Sequence, residues 1–237
     1  PDQTTKLSKF DKYWGVEPNL DGIEYHIITE DAQAVNALTT GEIDISLNVT
    51  GQLIKQVSSS DKLVLSQNTE PRLAYIGFNL SDPILSNDKV REALSTAIDR
   101  KTLVDGVYAN GDGELSVLPV PKVSWGYSEE QESLVPAYDV EKAKSLLKEA
   151  GQENLSFTLL VIDNWIKDLA AQIQQDLQAV GMTCTLDVQA APYPALAPSK
   201  DGSELAYDVF LAPGDVSCFG TNADVHLSWF YGKNTDW

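Results

Sequence analysis

Between Asn87 and Val107 the apolar residues keep a helical period, and that constrains the fold more than any other feature of the chain. Val90, Ala93, Leu94, Ala97 and Ile98 fall at i, i+3, i+4, i+7 and i+8, one apolar face of a helix with Asn87 as its N-cap. Asp99 caps a second helix carrying Leu103, Val104 and Val107, so the Asp99–Arg100 pair marks a break between two helices rather than the middle of one. Such faces must be buried against something, and the flanking sequence supplies strands.

Upstream, IEYHII (residues 23–28) reads as a strand, DAQAVNALTTG (31–41) as a short helix closed by Gly41, and EIDISLNV (42–49) as a second strand, together a βαβ unit. GQLIKQVSSS is helical in pattern and KLVLSQN strand-like, before a break at Pro71. Residues 111–136, rich in Gly, Pro and Ser and carrying Trp125 and Tyr127, read as a long loop. Asp139 then caps a helix with Val140, Ala143, Leu146, Leu147 and Ala150 inward, ended by Gly151. LSFTLLVI is a strand, and Trp165, Ile166, Leu169, Ala170, Ile173, Leu177 and Val180 form a helix face ended by Gly181. MTCTLDVQ and YDVFLA are further strands. The class is α/β, with parallel strands joined by helices.

The charge balance excludes partners. With Lys and Arg at 17 against 35 Asp and Glu, the net charge is −18. A phosphate backbone or an anionic bilayer is bound by clustered cations, so nucleic acid is not an expected partner. The acidity fits an exported protein or steering of a cationic ligand. No apolar run approaches the roughly 20 residues of a membrane-spanning helix, and no basic-then-apolar leader stands at the start. Pro1 in place of an initiator Met, and the stop at Trp237 shortly after HLSWFYG, read as cut ends of a longer chain.

Catalytic signatures are missing. His26 and His226 are the only histidines, each in a setting that suits a structural role, and no GxSxG elbow accompanies them. Gly111 and Gly113 form a GxG without the third glycine of a nucleotide loop, and no GxxxxGK[ST] occurs. The carboxylates are scattered and do not single out a catalytic pair. Cys184 and Cys218, without a CxxC, read as inert thiols, although the count permits one disulfide. Neither a metal, a cofactor nor a catalytic residue is expected. The N-x-[ST] sites at Asn48, Asn79 and Asn154 read as chance matches.

The stretch YIGFNLSDPILSNDKVREALSTAIDRKTLV (75–104) resembles the extracytoplasmic solute-binding proteins of family 5, which serve bacterial ABC importers and include oligopeptide- and dipeptide-binding members. Their pattern is an aromatic-rich strand ending in Asn, a Pro-containing turn, then V-R-x-A-hydrophobic-x-x-A-I-D-R. Asn79, Val90, Arg91, Ala93, Leu94, Ala97, Ile98, Asp99 and Arg100 match it. KYWGVEPNLDGIEYHII, GEIDI and YDVEKAKSLLKEAG are further landmarks in the family's order.

The resemblance implies a periplasmic-binding-protein-like fold of type II in the three-lobe peptide-binding cluster, here as an incomplete chain. Residues 1–70 would be part of lobe I and 71–237 most of lobe III. It implies a monomer outside the cytoplasmic membrane, in the periplasm or as a lipoprotein on a Gram-positive surface. Such a protein would capture a short peptide by lobe closure and deliver it to ABC permease subunits. Nickel complexes, haem and oligosaccharides are alternative solutes; a sensor and, remotely, a hydrolase are alternative roles. By the same resemblance Leu47 and Asn48 face the cleft, as do Tyr75 and Gly77. Asp215 pairs the ligand's α-amino group, with Ser217, Cys218 and Phe219 beside it. The loop after YDVFLA is longer than the family pattern, which makes Asp224 a rival to Asp215.

Overall fold

A computed structural model describes residues 4–47, 49–162, 166–189, 207–213 and 220–232. The chain divides into two compact units, Pro1–Gln67 and Asn68–Trp237.

In the first unit, β1 (Thr4–Ser8) pairs antiparallel with β2 (Gly22–His26), Leu7 opposite Ile23 and Thr5 opposite Tyr25. Helix α1 (Asp31–Thr40) follows, and Gly41, in the left-handed region at φ 80°, closes it with its N–H on the Leu38 carbonyl. Helix α2 (Gln52–Ser58) buries Ile54 and Val57. The strand expected at 42–49 is not formed over its described residues, nor is the one at 62–68, so no βαβ unit is present here. A strand pattern needs a ladder partner, and these segments have none among the described residues. Ile45, Leu47 and Val64 accordingly stand exposed.

The second unit is built on a four-stranded sheet in the order β3 (Ala74–Phe78), β6 (Val209–Pro213), β4 (Ser156–Ile162), β5 (Thr183–Gln189). β4 runs parallel to both β5 and β6, and β3 antiparallel to β6. The β4–α6–β5 crossover, through α6 (Lys167–Ala179), is the parallel pair joined by a helix that the alternating pattern predicts. Helices α3 (Asp88–Ala97), α4 (Arg100–Val107), α5 (Val140–Glu149) and α6 contribute to one apolar core with one face of the sheet. Val90, Ala93, Ala97, Leu147, Leu159, Val161, Ala170 and Leu211 are almost wholly buried there.

The caps behave as their side chains dictate. Asn87 accepts from the Lys89 N–H at 3.0 Å, Asp99 from Thr102 at 3.1 Å and Asp139 from Lys142 at 2.9 Å. A 3₁₀ helix at Glu129–Leu134 interrupts the long loop, and α7 (Ala223–Tyr231), capped by Asn222, forms where the sequence pattern gave no element. Cys184 is buried under the sheet as a free thiol, pushed up to about 11 by desolvation, the character of an inert core residue. Cys218 and Trp165 lie outside the described residues.

Asp99 tests the helix break. Its carboxylate accepts from both the hydroxyl and the N–H of Thr102, chiefly the hydroxyl, which holds it below the usual carboxylate range. Asp99→Ala is expected to lower stability at pH 7 by about 1 kcal/mol, the usual worth of an N-cap, measured by urea unfolding. A depressed acid stabilises above its unfolded value of about 4 and loses that contribution as the pH falls through the folded one. The gap between wild type and Asp99→Ala should therefore narrow in acid; a gap that widens on acidification would refute the assignment.

Candidate functional site

The two faces of the sheet in the second unit differ. Ile76 and Phe78 of β3 and Val209 and Leu211 of β6 point into the helical core, while the alternate residues Tyr75, Gly77, Phe210 and Ala212 share the other face. Leu160 and Ile162 of β4 join that second face, together with Tyr207 just before β6. The result is a small aromatic cluster opposite the main core.

Its centre is the pair Gly77 and Phe210, directly opposite in the β3–β6 register. The Phe210 ring lies over the glycine, so that a Cβ built on Gly77 would fall inside contact distance of Cε1 and Cζ, with Cδ1 at 3.0 Å. Phe210 is 4% exposed, and it meets Tyr75 edge-to-face at 5.9 Å and Tyr207 likewise at 5.2 Å. Tyr75 remains half-buried. The structure therefore brings Tyr75 and Gly77 onto one face and adds Phe210 and Tyr207, which the sequence reading passed over. Their signal was weak, because strand order, not local pattern, places Phe210 on Gly77.

The remaining sequence-derived positions fall elsewhere. Leu47 is exposed in the first unit. Asn48, Asp215, Ser217, Cys218 and Phe219 lie outside the described residues. Asp224 is exposed in the first turn of α7, its N–H donating to the Asn222 side chain at 3.0 Å and its carboxylate accepting from the Ser228 hydroxyl at 3.2 Å. His26 stands 3.4 Å from Glu24 on β2, and buried His226 places Nε2 3.4 Å from the Gly220 carbonyl. Among the described residues no group of three or more His, Cys, Asp and Glu could hold a metal ion, and no helix is long and apolar enough to cross a membrane.

The polar residues that match the family pattern are occupied structurally. The Asn79 N–H donates to the Asp208 carbonyl at 2.9 Å and its side-chain amide to the Tyr207 carbonyl at 3.1 Å, while its Oδ1 accepts from the Ser81 N–H at 3.0 Å. Asp208 in turn accepts from the Thr158 N–H at the start of β4, at 2.8 Å. Asp82 holds the Pro-containing turn through the Ile84 and Leu85 N–H groups. Arg91 donates to the Leu85 carbonyl at 2.9 Å and pairs with Asp88. Arg100 donates to the Ser95 hydroxyl at 2.6 Å.

An open hollow of about 230 Å³ in the first unit, lined in part by His26, Ile28 and Glu42, contains none of the residues chosen from sequence. It borders β2, whose residues are all exposed. An incompletely covered surface explains it better than a ligand site does.

Comparison with known proteins gives a single family. The model of the bacterial extracellular solute-binding proteins, family 5, matches residues 1–235. The oligopeptide-binding protein AppA of Bacillus subtilis is 28% identical over 95% of this chain and 44% of its own length. Heme-binding protein A of Haemophilus influenzae is 31% identical over 65% of this chain and 27% of its own length. The periplasmic binding protein DppA of Helicobacter pylori, solved with the peptide STSA, superposes with a TM-score of 0.81 at 23% identity, over 95% of this chain and 43% of that one. The chain spans less than half the length of each of these proteins.

Proposed function

We propose that this chain, which belongs to the bacterial extracellular solute-binding proteins of family 5, is part of a protein that captures a short peptide outside the cytoplasmic membrane and delivers it to an ABC importer. The observation that carries the peptide reading is the match along 95% of the chain to an oligopeptide-binding protein. The fold agrees with it, being shared with a periplasmic binding protein solved on a tetrapeptide.

In this reading residues 1–70 contribute to the first lobe and residues 71–237 make most of the third, and the ligand lies in a cleft that closes by lobe movement. The first unit leaves the apolar side chains of Phe10, Trp14, Val16 and Ile45 exposed, which further chain would cover. Leu47, Asn48, Tyr75 and Gly77 face the cleft, Gly77 with the Phe210 ring packed on it, and Asp215 pairs the α-amino group, with Ser217, Cys218 and Phe219 beside it. Hydrogen bonds to the peptide backbone would give affinity with little side-chain selectivity. No bond of the peptide is broken.

The test is isothermal titration of a short peptide into the full-length protein. Asp215→Ala is expected to weaken binding by about 1.5–3 kcal/mol, the scale of one charged hydrogen bond, and the peptide should be recovered intact. Unchanged affinity would remove Asp215 from the site, leaving Asp224 as the carboxylate to test next. Cleaved peptide would end the binding-only reading.

A further inference from the structure

Trp125 is 79% exposed, yet the turn that carries it is tied down on every side. The Ser124 N–H donates to the Pro121 carbonyl at 2.9 Å and the Tyr127 N–H to the Ser124 carbonyl at 3.2 Å. The Trp125 N–H itself donates to the Thr221 carbonyl at 2.9 Å, making a parallel bridge with Asn222, the cap of α7. Gly126 sits in the left-handed region at φ 92°, and a Cβ there would come within 3.1 Å of the Ala223 Cβ. Ser124 and Ala223 are buried on either side of the bridge. The sequence thus spends a glycine, a bridge and a helix cap on a turn whose largest side chain is left outside.

The surroundings of the turn are acidic. Residues 109–138 and 220–232 carry Asp112, Glu114, Glu129, Glu130, Glu132 and Asp224 against a lone cation, Lys122. Three of these carboxylates, Glu132, Glu129 and Glu114, act on the neighbouring Tyr127, whose hydroxyl donates to Glu132 at 2.5 Å. That bond, with Glu129 and Glu114 adding to it, pushes the phenol up to about 12. An indole face in a negative field attracts a cation twice over, through the ring quadrupole and through the carboxylates. Because the turn is already fixed, contact would cost little backbone ordering.

We propose that Trp125 is a ligand-contact residue whose indole receives a positively charged side chain of the bound peptide. This rests on the peptide-binding reading above.

The test uses the full-length protein, trilysine and trialanine as probes, and the variants Trp125→Ala and Trp125→Phe. Trp125→Ala should weaken trilysine binding about tenfold and trialanine binding less than about threefold, while Trp125→Phe stays within about threefold of wild type for both. The melting temperature should not move, since the side chain packs on little. Equal losses for the two peptides, or no loss with trilysine, would overturn the inference while leaving peptide binding standing. A wild type that binds neither peptide would take the peptide reading down and this inference with it.

Discussion

Gly77→Ala is expected to destabilise the second unit by about 1–3 kcal/mol, the range for forcing a methyl into a packed site. The expectation runs against the usual sign. At a position whose backbone any residue can adopt, Gly→Ala stabilises by about 0.4–1 kcal/mol, because the unfolded chain loses freedom. Gly77 is such a position, a strand residue without a left-handed φ. Only the Phe210 ring opposes the change, lying where the new methyl would go and held by Tyr75 and Tyr207 at its edges. The ring is too buried to swing into solvent. Steric cost should therefore win by more than the entropic gain.

A double-mutant cycle isolates that cause. Phe210→Leu alone should cost about 1 kcal/mol in lost packing, and in its presence Gly77→Ala should become nearly neutral, a coupling of at least about 1 kcal/mol between two residues that touch. Urea unfolding of the four proteins measures it. A Gly77→Ala variant as stable as wild type would show that the ring yields freely, and the cluster could not then set the shape of the cleft wall.

How much of this was legible in the sequence depends on the range of the interaction that decides each feature. Helices α3 to α6 and the caps Asn87, Asp99 and Asp139 were readable because a helical face and its cap are written within a dozen residues. The strands expected at 42–49 and 62–68 failed for the opposite reason. Alternation says that a segment would fit a pleat but not that a partner strand is present, and these have none among the described residues. β1 was missed because TTKLS is short and largely polar, and its pairing with β2 spans the Lys9–Asp21 loop. Helix α7 was missed because Ala223, Val225, Leu227 and Trp229 alternate in the sequence with Asp224, His226 and Ser228, a period of two that leaves no helical stripe to recognise. The packing of Phe210 on Gly77 is set by the placing of β6 beside β3, more than 130 residues away in sequence. Family likeness pointed to Tyr75 and Gly77 as a site; only the sheet order shows what lies against them.

The motif that identifies the family is itself testable, at Asn79. Its side chain satisfies two main-chain groups at once, the Tyr207 carbonyl and the Ser81 N–H, and it is 7% exposed. Asn79→Leu keeps the volume but removes both bonds, leaving a donor and an acceptor with little water to replace them. At about 1–3 kcal/mol for each of the two groups left unsatisfied, a loss of about 2–6 kcal/mol is expected. Asn79→Asp separates the two halves of the clasp. An ionised carboxylate can still accept from Ser81 but presents its second oxygen to the Tyr207 carbonyl, acceptor against acceptor. A proton on that oxygen would restore a donor, so the folded state should hold it more tightly than the unfolded chain does. A carboxyl raised in the folded state stabilises at low pH and loses that stability as the pH rises. Asn79→Asp should therefore approach wild type in acid and fall furthest below it at neutral pH, whereas Asn79→Leu should stay low at both. On the peptide-binding proposal, the affinity of whatever fraction remains folded should be unchanged, because the Asn79 side chain is already engaged by the Tyr207 carbonyl and the Ser81 N–H. A variant that folds normally and binds more weakly would reverse that assignment and make the family's signature asparagine part of the binding site.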